Sequence, residues 1–165
     1  MGVAGLGFDC HAFADGRPLI LGGVEIPHER GLQGHSDADV LTHAIIDALL
    51  GAAALGDIGE HFPDTDAAWK DADSLDLLRA TVRLLWRNQR TIAHVDATVV
   101  MERPKLSPHK AEIRTNLARA LSVHEDQISV KATRGEGMGF VGREEGVAAL
   151  AVATLEEREV ARRNR

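Results

Sequence analysis

Tyrosine is absent from this 165-residue chain, and the remaining aromatics are four phenylalanines and two tryptophans. Proteins that hold single-stranded nucleic acid stack successive bases on aromatic side chains, so this inventory argues against that class. Positive charge is also in deficit. Nineteen Lys and Arg against 25 Asp and Glu leave a formal net charge of −6, whereas nucleic-acid-binding domains carry a basic face. A phosphorylated ligand would therefore need a local site. The single cysteine, Cys10, excludes an internal disulfide and fits a reducing compartment. No apolar stretch approaches the ~20 residues of a membrane helix, and no basic segment followed by an apolar run opens the chain. The expectation is a soluble cytoplasmic protein without a nucleic-acid or membrane partner. With no repeat or linker and 44% hydrophobic residues, one domain spanning 1–165 is expected, its charged end from 156 to 165 frayed.

What the chain does have is a set of metal-compatible side chains in its first third: Asp9 and His11, then His35-Ser36-Asp37-Ala38-Asp39-Val40, then His43. If residues 3 to 11 form a strand, Asp9 and His11 leave one face together. Cys10 then points to the other face and reads as a small buried core residue. A helix from about 37 to 54, with Ser36 as its N-cap, carries apolar residues at helical spacing and would hold His43 about two turns in. Asp47, four residues on, is placed either to hold the His43 ring or to decorate the surface. Zinc takes carboxylate oxygen and imidazole nitrogen, three protein ligands being typical of a site that keeps a position open. Spacing alone leaves this unsettled, because helix histidines are more often packed or solvated than ligating.

Further along, Leu19 to Pro27 reads as a hairpin around Gly22-Gly23. Residues 60 to 73 read as a loop. Ser74 is placed to cap a second amphipathic helix through Trp86, and Thr91 to Met101 alternates as a strand. A third helix is expected from Pro108 to Leu121, a strand at Ile128 to Ala132, a glycine-rich stretch at 135 to 146, and a strand at Val147 to Leu155. These elements predict an α+β fold: a mixed β-sheet with helices packed on one face, plus a small hairpin.

The ordered blocks GFDCHAF, LGGVEIP, GLQGHSDADVLTHAIIDALLGAAALGDIGEHFPDTD, WKDADS, DATVV, RPKLSPH, VKAT and GFVGREEG resemble the 2-C-methyl-D-erythritol 2,4-cyclodiphosphate synthase family from about residue 3 to 155. The resemblance implies an enzyme of the non-mevalonate isoprenoid pathway. It would close 4-diphosphocytidyl-2-C-methyl-D-erythritol 2-phosphate into a cyclic diphosphate and expel CMP, the substrate's own 2-phosphate attacking the β-phosphorus. It further implies Zn2+ on Asp9, His11 and His43, with a second cation, Mg2+ or Mn2+, through Glu136. The assembly implied is a three-fold homotrimer with active sites between subunits.

By the same resemblance, His35 and Arg134 take the catalytic positions and His35 and Ser36 approach the phosphates. Asp57, Gly59, Phe62, Asp64 and Asp66 flank the methylerythritol part. Met101, Pro104, Lys105 and Leu106 hold the cytidine, with Ala132, Thr133 and Glu136 beside the diphosphate. Phe140 and Arg143, with Glu145, correspond to an axial cavity that can hold an isoprenoid diphosphate. Two residues depart from the family pattern. Arg134 stands where a threonine is usual, and it either clamps a phosphate or crowds the pocket. Glu144 stands where a glycine is usual, adding negative charge that is expected to weaken anion binding at the axis. The alternatives are a metal-dependent phosphohydrolase and a non-catalytic trimeric nucleotide or isoprenoid-phosphate binder.

Overall fold

Strand β1, Val3–Ala14, alternates between a covered and an exposed face along most of its length, as a half-buried strand must. The computed structural model describes residues 2–158. After β1 come β2 (Leu19–Leu21), β3 (Val24–Ile26), β4 (Gly31–Leu32) and helix α1 (Val40–Ala52). They are followed by α2 (Ile58–His61), α3 (Ser74–Arg87), β5 (Arg90–Val100), α4 (Lys110–Leu121), β6 (Ile128–Thr133), α5 (Gly139–Gly142) and β7 (Gly146–Glu157). The main sheet has the order β4-β1-β7-β5-β6. Its pairs are antiparallel except β5 with β6, which α4 joins as a crossover. The mixed sheet, the separate β2–β3 hairpin and the one-sided helical layer are those expected. No helix among the described residues is long and apolar enough to cross a membrane.

Helix α1 is the centre of the core. Eleven of its 13 residues are buried, the signature of a helix enclosed on every side. It lies against β1 and β7, where small residues let the backbones approach. Gly5 and Gly7 of β1 face it, and a Cβ on Gly7 would collide with the Ala44 carbonyl oxygen and the Ala48 nitrogen. Across the strand pairing, Gly5 and Gly7 stand opposite Ala153 and Ala151. The other face of these strands stays bare: Leu6 is 68% exposed and Phe8 54%, with Leu150 and Val152 of β7 beside them.

Several expectations are corrected. Helix α1 starts at Val40, not 37, and its N-cap is Asp39, which accepts the Thr42 N–H at 3.0 Å. Ala38 at φ 57° breaks the helical path, and the Ser36 hydroxyl accepts the Ala38 N–H instead. His43 accordingly sits one turn in rather than two. The fully buried Asp39 also takes the Gly22 and Gly23 N–H groups at 2.9 and 2.8 Å, pinning the hairpin turn to the helix start.

Helix α3 is capped by Asp73 rather than Ser74. The stretch from 60 to 73 is not all loop, since it holds the end of α2 and a 3-10 turn at Ala67–Trp69. Pro108 lies in a 3-10 turn that precedes α4, and the glycine-rich stretch contains α5. Glu156 and Glu157 belong to β7, so fraying does not begin there; residues 159–165 lie outside the described residues. Cys10 does leave the face opposite Asp9, but it is exposed rather than buried because that face is bare.

Gly7→Ala should lower stability by roughly 2–3 kcal/mol or more, since backbone rather than a flexible side chain must move. Gly51, in helix α1 with open space around its Cβ position, is the control: Gly51→Ala should raise stability by about 0.5–1 kcal/mol. Denaturant midpoints of the two variants check both signs.

Candidate active site and metal centre

Asp9 and His11 leave β1 on the face covered by α1, and His43 comes down from the first turn of that helix. His11 Nε2 lies 2.8 Å from Asp9 Oδ2, His43 Nδ1 lies 3.1 Å from the same oxygen, and the two ring nitrogens are 3.3 Å apart. A tetrahedral ion with ligands at about 2.0–2.2 Å holds its donor atoms about 3.3–3.5 Å apart, so the triangle fits a single small dication with slight expansion. The donor set of one carboxylate and two imidazoles suits that ion as well. These three are the group that could hold a metal among the described residues.

The surroundings of the ligands favour a cation. His11 Nδ1 is 2.6 Å from the Gln33 carbonyl oxygen, which can only accept, so the outer nitrogen carries the ring proton and Nε2 is left for the ion. Burial would raise the Asp9 carboxyl, but hydrogen bonds and charge from His11 and His43 outweigh it and bring it down to about 2. Burial would lower His11, but the hydrogen bond and charge of Asp9 outweigh that too, and its pKa rises above the usual 6.5. Asp47 is not a partner of the His43 ring: its carboxylate accepts the Ile58 N–H at 2.8 Å and joins α1 to α2.

The triad lies in a cleft of about 420 Å3. His35, Ser36, Gly59, Phe62 and Asp64 line it as well, together with Gly34, Ile58, Trp69 and Leu77, which sequence reasoning had not singled out. Phe62 and Trp69 meet edge to face at 5.1 Å and form one wall. Asp57 and Asp66 do not line this cleft. Their carboxylates cap α2 and the 3-10 turn, accepting from Glu60 and Ala68. The Asp66 carbonyl oxygen lies 3.2 Å from His35 Nε2 and ties the segment to that ring.

A second cleft, of about 250 Å3, is lined by Met101, Pro104, Lys105, Leu106, Ala132, Thr133 and Arg134, with Glu102 and Ser107. It shares no lining residue with the first. Glu102, another residue not foreseen, accepts the Gly135 N–H at 2.8 Å. The Arg134 guanidinium stands 3.7 Å from Glu102 and 3.5 Å from the exposed Glu136. Arg134 therefore lines the cleft without filling it.

Phe140 lines neither cleft; it lies in a hollow with Cys10, Ala12 and Glu145 that shares His11 with the first cleft. The Arg143 guanidinium is engaged by Glu145 at 3.0 Å. Glu144 does not carry free charge: Arg103 grips its carboxylate through two hydrogen bonds of 2.8 Å and lowers its pKa.

The sequence model of the YgbB family matches residues 3–156. A 2-C-methyl-D-erythritol 2,4-cyclodiphosphate synthase of Salinibacter ruber is 65% identical over 152 residues, covering 92% of this chain and 97% of that protein. One of Syntrophomonas wolfei is 56% identical, covering 93% and 98%. Among solved structures, the bifunctional IspDF of Campylobacter jejuni superposes with a TM-score of 0.93 at 43% identity, covering 96% of this chain and 43% of that one. IspF of Plasmodium falciparum in complex with CDP gives a TM-score of 0.83 at 31% identity, covering 96% and 97%. Matched along nearly its whole length in both sequence and fold, the chain belongs to the YgbB family, that of the 2-C-methyl-D-erythritol 2,4-cyclodiphosphate synthases.

Proposed function

We propose that this chain catalyses the ring closure of 4-diphosphocytidyl-2-C-methyl-D-erythritol 2-phosphate to 2-C-methyl-D-erythritol 2,4-cyclodiphosphate, releasing CMP in the non-mevalonate isoprenoid pathway. The observation that carries the reading is the Asp9–His11–His43 triangle at the floor of a cleft, in a chain 65% identical to a synthase of that name. Zn2+ is the ion assigned to the triangle. Glu136 would hold a second dication, Mg2+ or Mn2+, ions that take oxygen ligands such as its carboxylate. A bound dication polarises phosphoryl oxygens and offsets the repulsion between a phosphate dianion and a diphosphate.

The chain's own residues supply alignment and charge. His35 and Ser36 line the first cleft beside the triad and face the phosphates. The Phe62–Trp69 wall sheds water from the methylerythritol part, and Asp64 accepts from its hydroxyls. Asp57 and Asp66, whose carboxylates serve as caps, act by shaping this segment. In the second cleft, Met101 to Leu106 hold the cytidine, and Ala132 and Thr133 lie beside the diphosphate. Arg134 stabilises charge that builds as CMP leaves. Nucleophile and electrophile are parts of one molecule, so the reaction needs neither an enzyme nucleophile nor an obligatory general base.

The cytidine cleft and the metal cleft share no lining residue, while one substrate must touch both. A homotrimer joining the first cleft of one subunit to the second of its neighbour reconciles these facts. The bare apolar face of Leu6, Phe8, Leu150 and Val152 supports such an assembly, because monomeric proteins rarely leave contiguous patches of this kind uncovered. In the trimer, Phe140, Arg143 and Glu145 ring the axis, where Arg143 suits an anion such as an isoprenoid diphosphate. One domain over 1–165 and a cytoplasmic location complete the reading.

Purified chain given the cytidylyl substrate, zinc and magnesium should release CMP and the cyclic diphosphate in equal amounts by phosphorus NMR; inorganic phosphate or a linear diphosphate in their place would establish hydrolysis. His43→Ala should abolish zinc binding and turnover while sedimentation still reports a trimer. Arg134→Thr should lower kcat by about tenfold or more.

Zinc affinity should fall as pH drops from about 8 to about 6, because His11 holds its proton above the usual value and the ion must displace it. The metal-free chain has the opposite sensitivity at this group. A raised His11 contributes stability that is present below 6.5 and is lost as pH rises through its folded value. Chelator-competition titrations and denaturant midpoints of zinc-stripped protein across that range test the two signs.

A further inference from the structure

Ser74 is fully buried at the start of α3, yet its hydroxyl does not cap that helix. It lies 2.8 Å from His43 Nε2 and hydrogen-bonds Asp37 Oδ1. The other Asp37 oxygen accepts the Ser74 N–H at 3.0 Å, and Oδ1 also accepts the Asp39 N–H at 3.2 Å. With N–H donors on both oxygens, Asp37 is held as an acceptor, so the one proton of the Ser74 hydroxyl goes to it. Only lone pairs are then left on Ser74 Oγ for His43. In the neutral ring, Nε2 must carry the proton and donate it. Nδ1, the atom facing Asp9 and His11 at 3.1 and 3.3 Å, is left bare.

Among the described residues Ser36 Oγ is the only other partner of His43 Nε2, at 3.3 Å; its hydroxyl can donate as well as accept, but the shorter 2.8 Å contact with Ser74, whose proton is committed to Asp37, governs the ring. We infer that Ser74, oriented by Asp37, is a positioning residue that fixes His43 in the tautomer with Nδ1 free to ligate. The consequence for metal affinity rests on the zinc assignment above; the tautomer itself does not. His11 has its counterpart in the Gln33 carbonyl oxygen. The two rings are thus turned toward one point by outer partners of different kinds, one a backbone oxygen and the other a serine–aspartate pair brought in from the start of α3.

The test is long-range 1H–15N correlation of the histidine rings in the full chain, zinc-stripped and zinc-loaded, with Zn2+ affinity by chelator competition. The neutral His43 ring of the unaltered protein should be protonated on Nε2 in both forms. Ser74→Ala, which keeps the backbone bond to Asp37, should mix the tautomers in the stripped protein and weaken zinc by about tenfold or more, and Asp37→Asn should act in the same direction. A His43 ring protonated on Nδ1 in the unaltered stripped protein overturns the inference without any variant. So does a folded Ser74→Ala that binds zinc within about twofold of the unaltered chain. If the unaltered chain binds no zinc, the metal assignment fails, and the His43 tautomer still decides the role of Ser74.

Discussion

The close approach of α1 to β1 is the constraint on which the rest of this structure depends. Imidazole and carboxylate are short side chains, and a small dication tolerates donor atoms only about 3.3–3.5 Å apart. A helix held off the sheet by leucines or valines would carry the His43 ring away from Asp9 and His11. Instead, Gly5 and Gly7 leave room for backbone where Ala44 and Ala48 arrive, and Ala149, Ala151 and Ala153 of β7 continue the shallow floor. Two glycines weaken an isolated strand. Pairing of β1 with β7 through ten consecutive registers from Val3 to Ala12, and with β4 beyond it, offsets that loss. The same residues thus set both the packing of the core and the dimensions of the metal triangle.

The alternation that turns Gly5, Gly7, Asp9 and His11 toward the helix turns Leu6, Phe8 and Cys10 away from it. A strand with its small and polar residues inward and its large apolar ones outward is inverted relative to an ordinary surface sheet. Such a pattern suits a sheet with a second covering on its outer side. The chain presents the Asp9–His11–His43 triangle in one cleft and a second, smaller cleft elsewhere, with no lining residue in common.

Much of this was legible in the sequence, for identifiable reasons. The two-residue period of β1 put Asp9 and His11 on one face, and the helical spacing of Val40 to Ala52 located the element that delivers His43. The cap residues were not legible, because Ser36, Asp37 and Asp39 all stand before α1 and Asp73 and Ser74 stand side by side where α3 begins. Side chains of similar cap propensity compete at those positions, and tertiary partners decided between them: Ser74 is taken by His43 and Asp37, leaving Asp73 for the helix. The left-handed Ala38 that delays α1 carries no sequence mark. Cys10 was misjudged because a period-2 pattern distinguishes the two faces of a strand without saying which one is covered. Partners far apart in sequence, such as Ser74 with His43, leave no local pattern to read.

The two departures from the family pattern follow one logic. Glu144 brings a carboxylate and Arg134 a guanidinium, and each finds opposite charge within the chain: Glu144 from Arg103, Arg134 from Glu102 and Glu136. Exposed pairs of this kind contribute little to stability because solvent screens them, so their importance lies in position. The Arg103–Glu144 pair fastens the segment after α5 to the loop that forms the second cleft, so the Glu144 charge is spent on that junction. Around Arg134 the balance is finer, because Lys105 and Arg134 stand close to Glu102 and Glu136 in or beside one small recess. The Arg134 ion pairs are long, at 3.7 and 3.5 Å, and the guanidinium is more than half exposed, so that side chain is loosely held. A threonine at this position would bring no charge, so Arg134 changes the electrostatics of the recess that it lines.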